Sequence, residues 1–469
     1  MRQTNFVLAL LTAAALVACG GNGSSGGDQT PKTAFKNQVT FGDSLSDVGS
    51  YAVGPVAAAG GGKFTINGDS SAKVSTLTGK TWTELMAPQL GLPVPCAAMT
   101  GLSGGPTGFN VPIVSNPNCY GYAQGGARVS NPVGVGNKLT GATRGDLTVP
   151  VTTQIANHLA AHGGKFNGDE VVFVWAGAND LLMQLAGLTA DATAAGNAAG
   201  AAEGAKVGAA TFASTLVPLL AAGATNPTTA AQAIGLAMAT ESARVGHTDD
   251  SVVAAAVGTA AIQPGNQAVA SPAVYGPIVL KAQTAAVAAG NAAGATAGAA
   301  AGAAYAAANG PRVIGGMAAV GTELGALIKS QIVAKGANYV VLNNLPDVAT
   351  TPSGLSQDAS TRGLISAAVA AYNDALKAAV SGEAKILQID VYAVDKDHTA
   401  NPGSYGLSNI TTPACGPNPL VNSLGCNASN VIAGDISHYK FADTVHPTPY
   451  THRLLASYVS EKMIIKGWL

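Results

Sequence analysis

Short apolar runs alternate with helical patterns along much of the chain. Four of these runs predict β-strands, at residues 39–41, 170–175, 339–343 and 386–390. The second run is almost continuously apolar, which is typical of a strand buried on both faces. Apolar residues also recur at helical spacing over residues 320–334 and 364–380. Strands that alternate with helices predict an α/β fold with a parallel sheet covered by helices.

Between residues 185 and 310 this pattern gives way to a segment rich in Ala and Gly. Ala favours a helix and recurrent Gly opposes it, so closely packed small-residue helices and a weakly ordered arm are both open. We favour loosely amphipathic helices that form a cap or side lobe. The segment is interpreted as an insertion in a single domain over residues 36–469.

Composition narrows the range of partners. The formal net charge is −1 and 10% of the residues are charged, so the sequence predicts no basic surface for nucleic acid. Only 5% of the residues are aromatic, which indicates that part of the chain buries little apolar surface per residue. We expect a monomer whose partners are small or uncharged molecules.

The N-terminus predicts export. Arg2 precedes an apolar run over residues 6–17, which ends in Leu16-Val17-Ala18-Cys19. This ending resembles a bacterial lipobox, in which the cysteine receives a diacylglycerol and becomes the first residue. We therefore expect a signal peptide over 1–18 and a flexible tether over 19–35. Lipidated Cys19 would then anchor the protein at the outer membrane, in the periplasm or on the cell surface. An ordinary cleaved signal is the alternative, and no later stretch predicts a membrane span.

Four cysteines remain after Cys19, an even number in a chain expected in an oxidising compartment. Three pairings are open. We expect the short-range pairs Cys96–Cys119 and Cys415–Cys426, since each would close a long loop and contribute on the order of 3 kcal/mol. A zinc site is the alternative, but the sequence has no CxxC pair and no His at ligand spacing, so we expect no metal.

Two short motifs carry candidate chemistry. Ser44 follows the first predicted strand, where Gly42 allows a sharp turn that exposes a hydroxyl. Taken alone, this is also what a plain turn would contain. Near the C-terminus, Asp443 and His446 are three residues apart, so the carboxylate can reach the imidazole if the segment turns. A serine nucleophile requires such a base and an orienting carboxylate.

With these motifs the sequence resembles the GDSL or SGNH hydrolase family in four separate blocks. The blocks are Phe41-Gly42-Asp43-Ser44-Leu45-Ser46-Asp47, Tyr122-Ala123-Gln124-Gly125-Gly126-Ala127, Gly177-Ala178-Asn179-Asp180 and Asp443-Thr444-Val445-His446-Pro447-Thr448. The resemblance implies Ser44 as nucleophile, His446 as general base and Asp443 as the partner of that base. It also implies an oxyanion hole made by the backbone N–H groups of Ser44 and Gly126 and by the side-chain amide of Asn179.

The resemblance further implies a three-layer α/β/α sandwich with a flavodoxin-like parallel sheet and an active site at the carboxyl ends of the strands. The implied function is that of a serine esterase or lipase, which hydrolyses carboxylic esters through an acyl-enzyme without a metal or cofactor. An acyltransferase using the same site and a non-catalytic surface-binding lipoprotein are the alternatives. The chain departs from the family at Gly121, where Asn is common, and in the insertion, which compact members lack.

Other motifs are interpreted as structural. Residues 101–105 fit the G-x-S-x-G pattern, but no apolar strand precedes them, so they predict a loop. His158 and His162 share a helix face without the Glu of a metalloprotease helix and are expected to be solvated. Asp47 and Asp180 are expected to hold loops in shape.

Overall fold

The structure is a computed structural model that describes residues 33–68, 79–105 and 108–469. The predicted signal peptide, Cys19 and the tether up to residue 32 lie outside the described residues. Residue 33 lies five residues before the first strand, which starts at Gln38.

The helices and strands alternate as an α/β pattern requires. The strands are β1 (Gln38–Gly42), β2 (Met99–Ser103), β3 (Asn110–Ser115), β4 (Val171–Trp175), β5 (Tyr339–Asn343) and β6 (Ile386–Ile389). The α-helices are α1 (Gly54–Ala58), α2 (Trp82–Gln89), α3 (Val151–Ala161), α4 (Ala178–Ala221), α5 (Pro227–Ser242), α6 (Asp249–Ala261), α7 (Pro272–Ile328), α8 (Pro352–Leu355), α9 (Ala359–Ala379), α10 (Val391–Ala400) and α11 (Pro449–Lys466). Short 3-10 helices cover Lys138–Thr140, Gln267–Ala270, Val348–Thr350, Pro402–Tyr405 and Ser423–Gly425, and a π-helical turn, Lys329–Val333, extends α7.

Four strands form one parallel sheet in the order β1-β4-β5-β6. These are the four strands that the apolar runs predict, so the prediction of a parallel sheet in a mixed α/β fold is confirmed. Every residue of β1 and β4 is buried, as expected for strands that carry helices on both faces. Gly42 and Trp175 pair at the carboxyl ends of β1 and β4, and this edge of the sheet carries the candidate site.

Helices cover both faces of the sheet, because alternate residues of each strand point to opposite sides. On one face, Phe41 and Val174 belong to a core shared with α7 and α9. On the other face, Phe173 packs against Trp82 of α2, with 4.9 Å between the ring centroids, and α11 contributes to the same core. The sheet is therefore the middle of three layers.

A second, two-stranded sheet lies apart from the first. β2 and β3 pair in antiparallel fashion, so the prediction of a loop for residues 101–105 was wrong for 101–103. The reason is tertiary, since β3 supplies the hydrogen bonds that make β2 a strand and the local sequence of β2 contains two polar residues and a glycine.

Two long helices, α4 and α7, run antiparallel and form what we call the arm, residues 178–328. At 1.5 Å per residue, the 44 residues of α4 span about 65 Å. The shorter helices α5 and α6 pack near the far end around a small core that includes Leu216, Ile234 and Val257. The expectation of a helical insertion is consistent with this arrangement. The helical segment begins inside the third motif block, and the helix predicted over 320–334 is the end of the much longer α7.

Glycines at every fourth position bring the two arm helices into backbone contact. These are Gly196, Gly200, Gly204 and Gly208 on α4 and Gly290, Gly294, Gly298 and Gly302 on α7. A Cβ at Gly200 would lie 2.8 Å from the carbonyl oxygen of Gly294, and one at Gly294 would lie 2.7 Å from that of Gly200. Small residues at this spacing are typical of closely packed helix pairs. The helices are not amphipathic as expected, because Ala occupies their exposed faces as well.

The same helices are apolar over long stretches. Ala178–Ala221 and Pro272–Val333 are long and apolar enough to cross a membrane, with 17% and 33% of their most apolar windows buried. The expectation that no segment after the N-terminus meets this criterion was therefore wrong. The criterion rests on length and composition alone, which core helices of globular proteins also meet.

Adding one methyl group between the arm helices should loosen the arm. We expect Gly294→Ala to lower the local stability of the arm by about 1–3 kcal/mol, because the new Cβ would overlap a backbone carbonyl. Gly315→Ala on the same helix is the matched control, since a Cβ there meets nothing within 4 Å; it should stabilise the helix by up to about 1 kcal/mol. Amide hydrogen exchange across α4 measures both effects. Equal protection in the two variants would contradict the packing described.

Two disulfides close loops beside the sheet. They join Cys96 to Cys119 and Cys415 to Cys426, which are the short-range pairs expected from the sequence. Structural disulfides are characteristic of oxidising compartments. They point to an extracellular or periplasmic protein.

Candidate active site

The turn after β1 exposes Ser44 at the edge of the sheet. Gly42 has a φ of +149°, and a Cβ on it would lie 2.1 Å from the carbonyl oxygen of Trp175, so only glycine fits. The side-chain amide of Gln154 accepts from the Gly42 N–H and donates to the Gly42 carbonyl, both at 2.8 Å. The turn is thereby held from both sides, and Ser44 is 8% exposed.

The C-terminal block brings a histidine and a carboxylate to the same serine. The Nε2 atom of His446 lies 2.9 Å from Ser44 Oγ, and its Nδ1 atom lies 2.7 Å from Asp443 Oδ2. Asp443 also accepts backbone N–H bonds from Val445, His446 and, at 2.8 Å, Ser423. Phe64 packs on the imidazole with 4.9 Å between the ring centroids. The segment turns as the three-residue spacing of Asp443 and His446 requires.

The charge state of Asp443 determines what this arrangement can do. Burial raises the pKa of Asp443, but attraction to His446 and the hydrogen bonds from His446 and Ser423 outweigh it, so the pKa lies well below its usual value. An ionised Asp443 accepts a hydrogen bond from the N–H at Nδ1 of His446. The lone pair of Nε2 then faces Ser44 Oγ. The arrangement can therefore take a proton from the serine hydroxyl.

The three candidate oxyanion donors lie on segments joined by hydrogen bonds. Asn179 is the second residue of α4, is 5% exposed, and donates one amide hydrogen to the carbonyl of Ala127 at 2.9 Å. Gly126, next to Ala127, has a φ of +78°. Within the part of the chain that the structure describes, the backbone N–H groups of Ser44 and Gly126 donate to no protein acceptor. The second amide hydrogen of Asn179 likewise has no acceptor among the described residues.

Two buried carboxylates tie these loops together. Asp47 accepts N–H bonds from Gly49 and Ser50 and, at 2.9 Å, from Gly125 in the second block. Asp180 accepts from Arg128 and from the Val129 N–H. Burial raises the pKa of Asp47 to about 6 and also raises that of Asp180. Through these hydrogen bonds Asp47 and Asp180 hold their loops in shape, as expected from the sequence.

The departure at Gly121 has a steric reason. A Cβ at this position would lie 2.7 Å from the carbonyl oxygen of Cys96, and the Gly121 N–H donates to that same carbonyl at 3.1 Å. The disulfide between Cys96 and Cys119 closes the loop beside this contact. Backbone pairing and the disulfide therefore hold this loop, and a side chain at position 121 would not fit.

Asp43, next to Ser44, makes the stability of the protein depend on pH. Burial raises its pKa from 3.8 to about 7; Oδ1 accepts the Leu45 N–H, and Oδ2 has no partner among the described residues. The pKa of Asp43 is higher in the folded state than in the unfolded state. Its contribution to the free energy of unfolding is therefore complete below about pH 4, where the carboxyl is protonated in both states, and is lost as the pH rises through about 7.

Asp43→Asn should remove this loss. We expect the variant to match the wild type at pH 4 and to exceed its free energy of unfolding at pH 8, because no charge has to be buried. Urea unfolding across this pH range measures the difference. Asp374→Asn, at an exposed carboxylate on α9, is the control, and identical pH slopes for the wild type and Asp43→Asn would contradict the assignment.

Two histidines outside the motif blocks, His158 and His452, are buried. His158 is 1% exposed and stacks on Phe166 with 4.5 Å between ring centroids, and burial lowers its pKa to about 3. The prediction that it is solvated was wrong, because its helix face turns toward an aromatic cluster under the sheet. His452 is also fully buried; burial, with His446 and Lys63 nearby, lowers its pKa to about 3.

Sequence reasoning missed several residues that support the site. Gln154 clamps the Gly42 turn, Phe64 packs on His446, and His452 accepts the backbone N–H of Trp82 at 3.2 Å. None lies in a motif block, and no local pattern marks them. No group of three or more potential metal ligands occurs among the described residues.

No protein-family model matches the chain. Three GDSL esterase/lipases of Arabidopsis thaliana are similar to part of it. One is 34% identical over 85 residues, 18% of this chain and 23% of that protein. The second is 30% identical over 94 residues, which are 20% of this chain and 25% of that protein. The third is 30% identical over 79 residues, which are 17% of this chain and 22% of that protein. This chain is similar to GDSL esterase/lipases.

The similarity to GDSL esterase/lipases agrees with the resemblance that the motif blocks show. The matches span about a quarter of the length of these relatives.

Proposed function

We propose that this protein is a GDSL-type serine esterase that hydrolyses carboxylic esters through Ser44, His446 and Asp443. The observation that carries the proposal is the continuous chain of contacts from Asp443 Oδ2 to His446 Nδ1 at 2.7 Å and from His446 Nε2 to Ser44 Oγ at 2.9 Å. A nucleophile, a base and an orienting carboxylate in this order are what acyl transfer to a serine requires.

The reaction has two steps. Ser44 Oγ attacks the ester carbonyl carbon while His446 Nε2 takes the hydroxyl proton. The oxyanion is held by the N–H groups of Ser44 and Gly126 and by the Asn179 amide. The bond to the alcohol oxygen then breaks, His446 returns the proton to that oxygen, and an acyl-serine remains. Water repeats the sequence, which releases the acid and regenerates the serine; Asp443 stays ionised and holds the imidazole throughout.

The proposal includes export and lipid anchoring. Residues 1–18 would be removed and Cys19 would carry the lipid, with residues 19–35 as the tether to residues 36–469. The two disulfides suit the oxidising compartment that such export reaches.

Covalent labelling tests the nucleophile directly. We expect an alkyl fluorophosphonate to add one phosphonyl group to Ser44. Ser44 Oγ attacks the phosphorus atom while His446 takes the hydroxyl proton, and fluoride leaves. Peptide mass mapping locates the adduct. The wild type should be labelled, His446→Ala should be labelled slowly because the base is absent, and Ser44→Ala should not be labelled. An adduct on another serine, or an unlabelled wild-type protein, would contradict the proposal.

A further inference from the structure

A long groove opens beside the candidate active site. It has a volume of about 1100 Å³ and lies between α4, α7 and the segment that contains α8 and the start of α9. One end is lined by Val445, the residue before His446, and by Leu182, which lies one helical turn after Asn179 on α4. We call it the side groove.

The side groove is lined mainly by apolar residues along its whole length. Near the active site its walls are branched apolar side chains, including Leu185, Ile314 and Leu364. Farther out, α4 and α7 line it mostly with Ala and Gly. Uncharged polar side chains interrupt this wall, among them Thr189, Thr193 and Asn197 on α4 and Ser353 and Thr361 on the opposite side. Asp358 is the one charged residue among its described lining residues. The mainly apolar walls suit a linear aliphatic chain, and they offer no cation to an anionic ligand.

The length of the groove fits the same ligand. Its lining on α4 runs from Leu182 to Ala201, which at 1.5 Å per residue is about 30 Å. On α7 the lining runs in the opposite direction, from Ile314 near the active site to Gly294 farther out. The two antiparallel helices of the arm therefore set the length of the groove.

We propose that the side groove binds the acyl chain of a long-chain ester, so that the arm makes the enzyme selective for such substrates. This inference rests on the proposed function. In that mechanism Asn179 holds the carbonyl oxygen, and the acyl chain is bonded to the same carbonyl carbon. Since α4 continues from Asn179 into the wall of the groove, a chain that leaves the carbonyl along α4 enters it.

Blocking the groove with a large side chain tests the proposal. Ala307 is exposed and lines the groove near the active site, whereas the neighbouring Ala308 is exposed and does not line it. Each methylene buried in an apolar site is expected to raise kcat/KM about fourfold at most. For p-nitrophenyl dodecanoate we expect Ala307→Trp to lose about 100-fold or more in kcat/KM and Ala308→Trp to stay within about twofold of the wild type. Turnover of p-nitrophenyl acetate should be unchanged in both, which also shows that both variants fold.

A second pair of variants tests the direction of the chain. Ala299 lines the groove farther from the active site, and the neighbouring Ala300 is exposed and does not line it. We expect Ala299→Trp to reduce kcat/KM only for acyl chains longer than those that Ala307→Trp already excludes. Ala300→Trp should leave the whole series unchanged.

The outcomes separate this inference from the proposed function. Equal dodecanoate turnover in Ala307→Trp and Ala308→Trp, with Ser44-dependent acetate hydrolysis intact, would overturn the groove assignment and leave the esterase standing. Loss on dodecyl acetate but not on p-nitrophenyl dodecanoate would overturn the acyl assignment in favour of the alcohol part. No Ser44-dependent hydrolysis of any ester would overturn the proposed function, and this inference with it.

Discussion

Replacing Ser44 with Ala is expected to lower kcat for p-nitrophenyl butyrate by about 10⁴-fold or more. The Oγ atom is the one that His446 Nε2 contacts at 2.9 Å, so the variant removes the nucleophile and leaves the base and the oxyanion donors in place. Initial rates for purified wild type and variant measure the loss. Because Ser44 and His446 act as a unit, adding His446→Ala to Ser44→Ala should cost little more.

Ser103→Ala is the matched control for this prediction. Ser103 lies in the G-x-S-x-G pattern of residues 101–105 and at the end of β2, so it is the competing serine by motif. Its replacement should leave kcat within about twofold of the wild type, because Ser103 is only half-buried and lies outside the candidate site. Retained activity in Ser44→Ala together with lost activity in Ser103→Ala would reverse the assignment.

Asn179→Ala should lower kcat by about 10²–10³-fold while KM changes little. The amide is proposed to donate to negative charge that develops only in the transition state, and removal of one such donor has an effect of this size. Steady-state kinetics on p-nitrophenyl acetate separate kcat from KM. A rise in KM alone would show that Asn179 contributes to ground-state binding instead.

The kinetic effect of Asn179→Ala has to be separated from a shift of the loop it contacts, since the amide also donates to Ala127 at 2.9 Å. Amide hydrogen exchange over residues 122–129 supplies that readout, because a displaced loop would lose protection, whereas loss of the amide donor alone would leave protection unchanged. Asn197→Ala, at an exposed position on the same helix, is the control and should keep wild-type kinetics with the acetate ester.

Strand positions follow from the sequence because their cause is local. The run at residues 170–175 is apolar on both faces, which is typical of a parallel strand with helices on both sides. The structure places β4 at Val171–Trp175 between β1 and β5. In contrast, β2 is a strand because β3 pairs with it, and nothing within residues 101–103 indicates that partner.

The candidate site shows the same division. Turn residues around Ser44 and the spacing of Asp443 and His446 are local features, and the family resemblance orders them. Their meeting is not local, since 402 positions separate Ser44 from His446. The contact requires β1 to end at the sheet edge that the C-terminal segment covers.

The strands of the main sheet and the residues that carry candidate chemistry could be predicted from the sequence alone, because they depend on short-range pattern and residue type; for the Ala-rich segment the sequence left both helices and a weakly ordered arm open. Tertiary structure decided the rest. Whether His158 meets water or Phe166, whether Gly200 faces solvent or Gly294, and whether Leu182 lines a groove beside His446 all depend on which distant surfaces come together. Such contacts depend on the summed packing of the whole domain, and no local spacing encodes them.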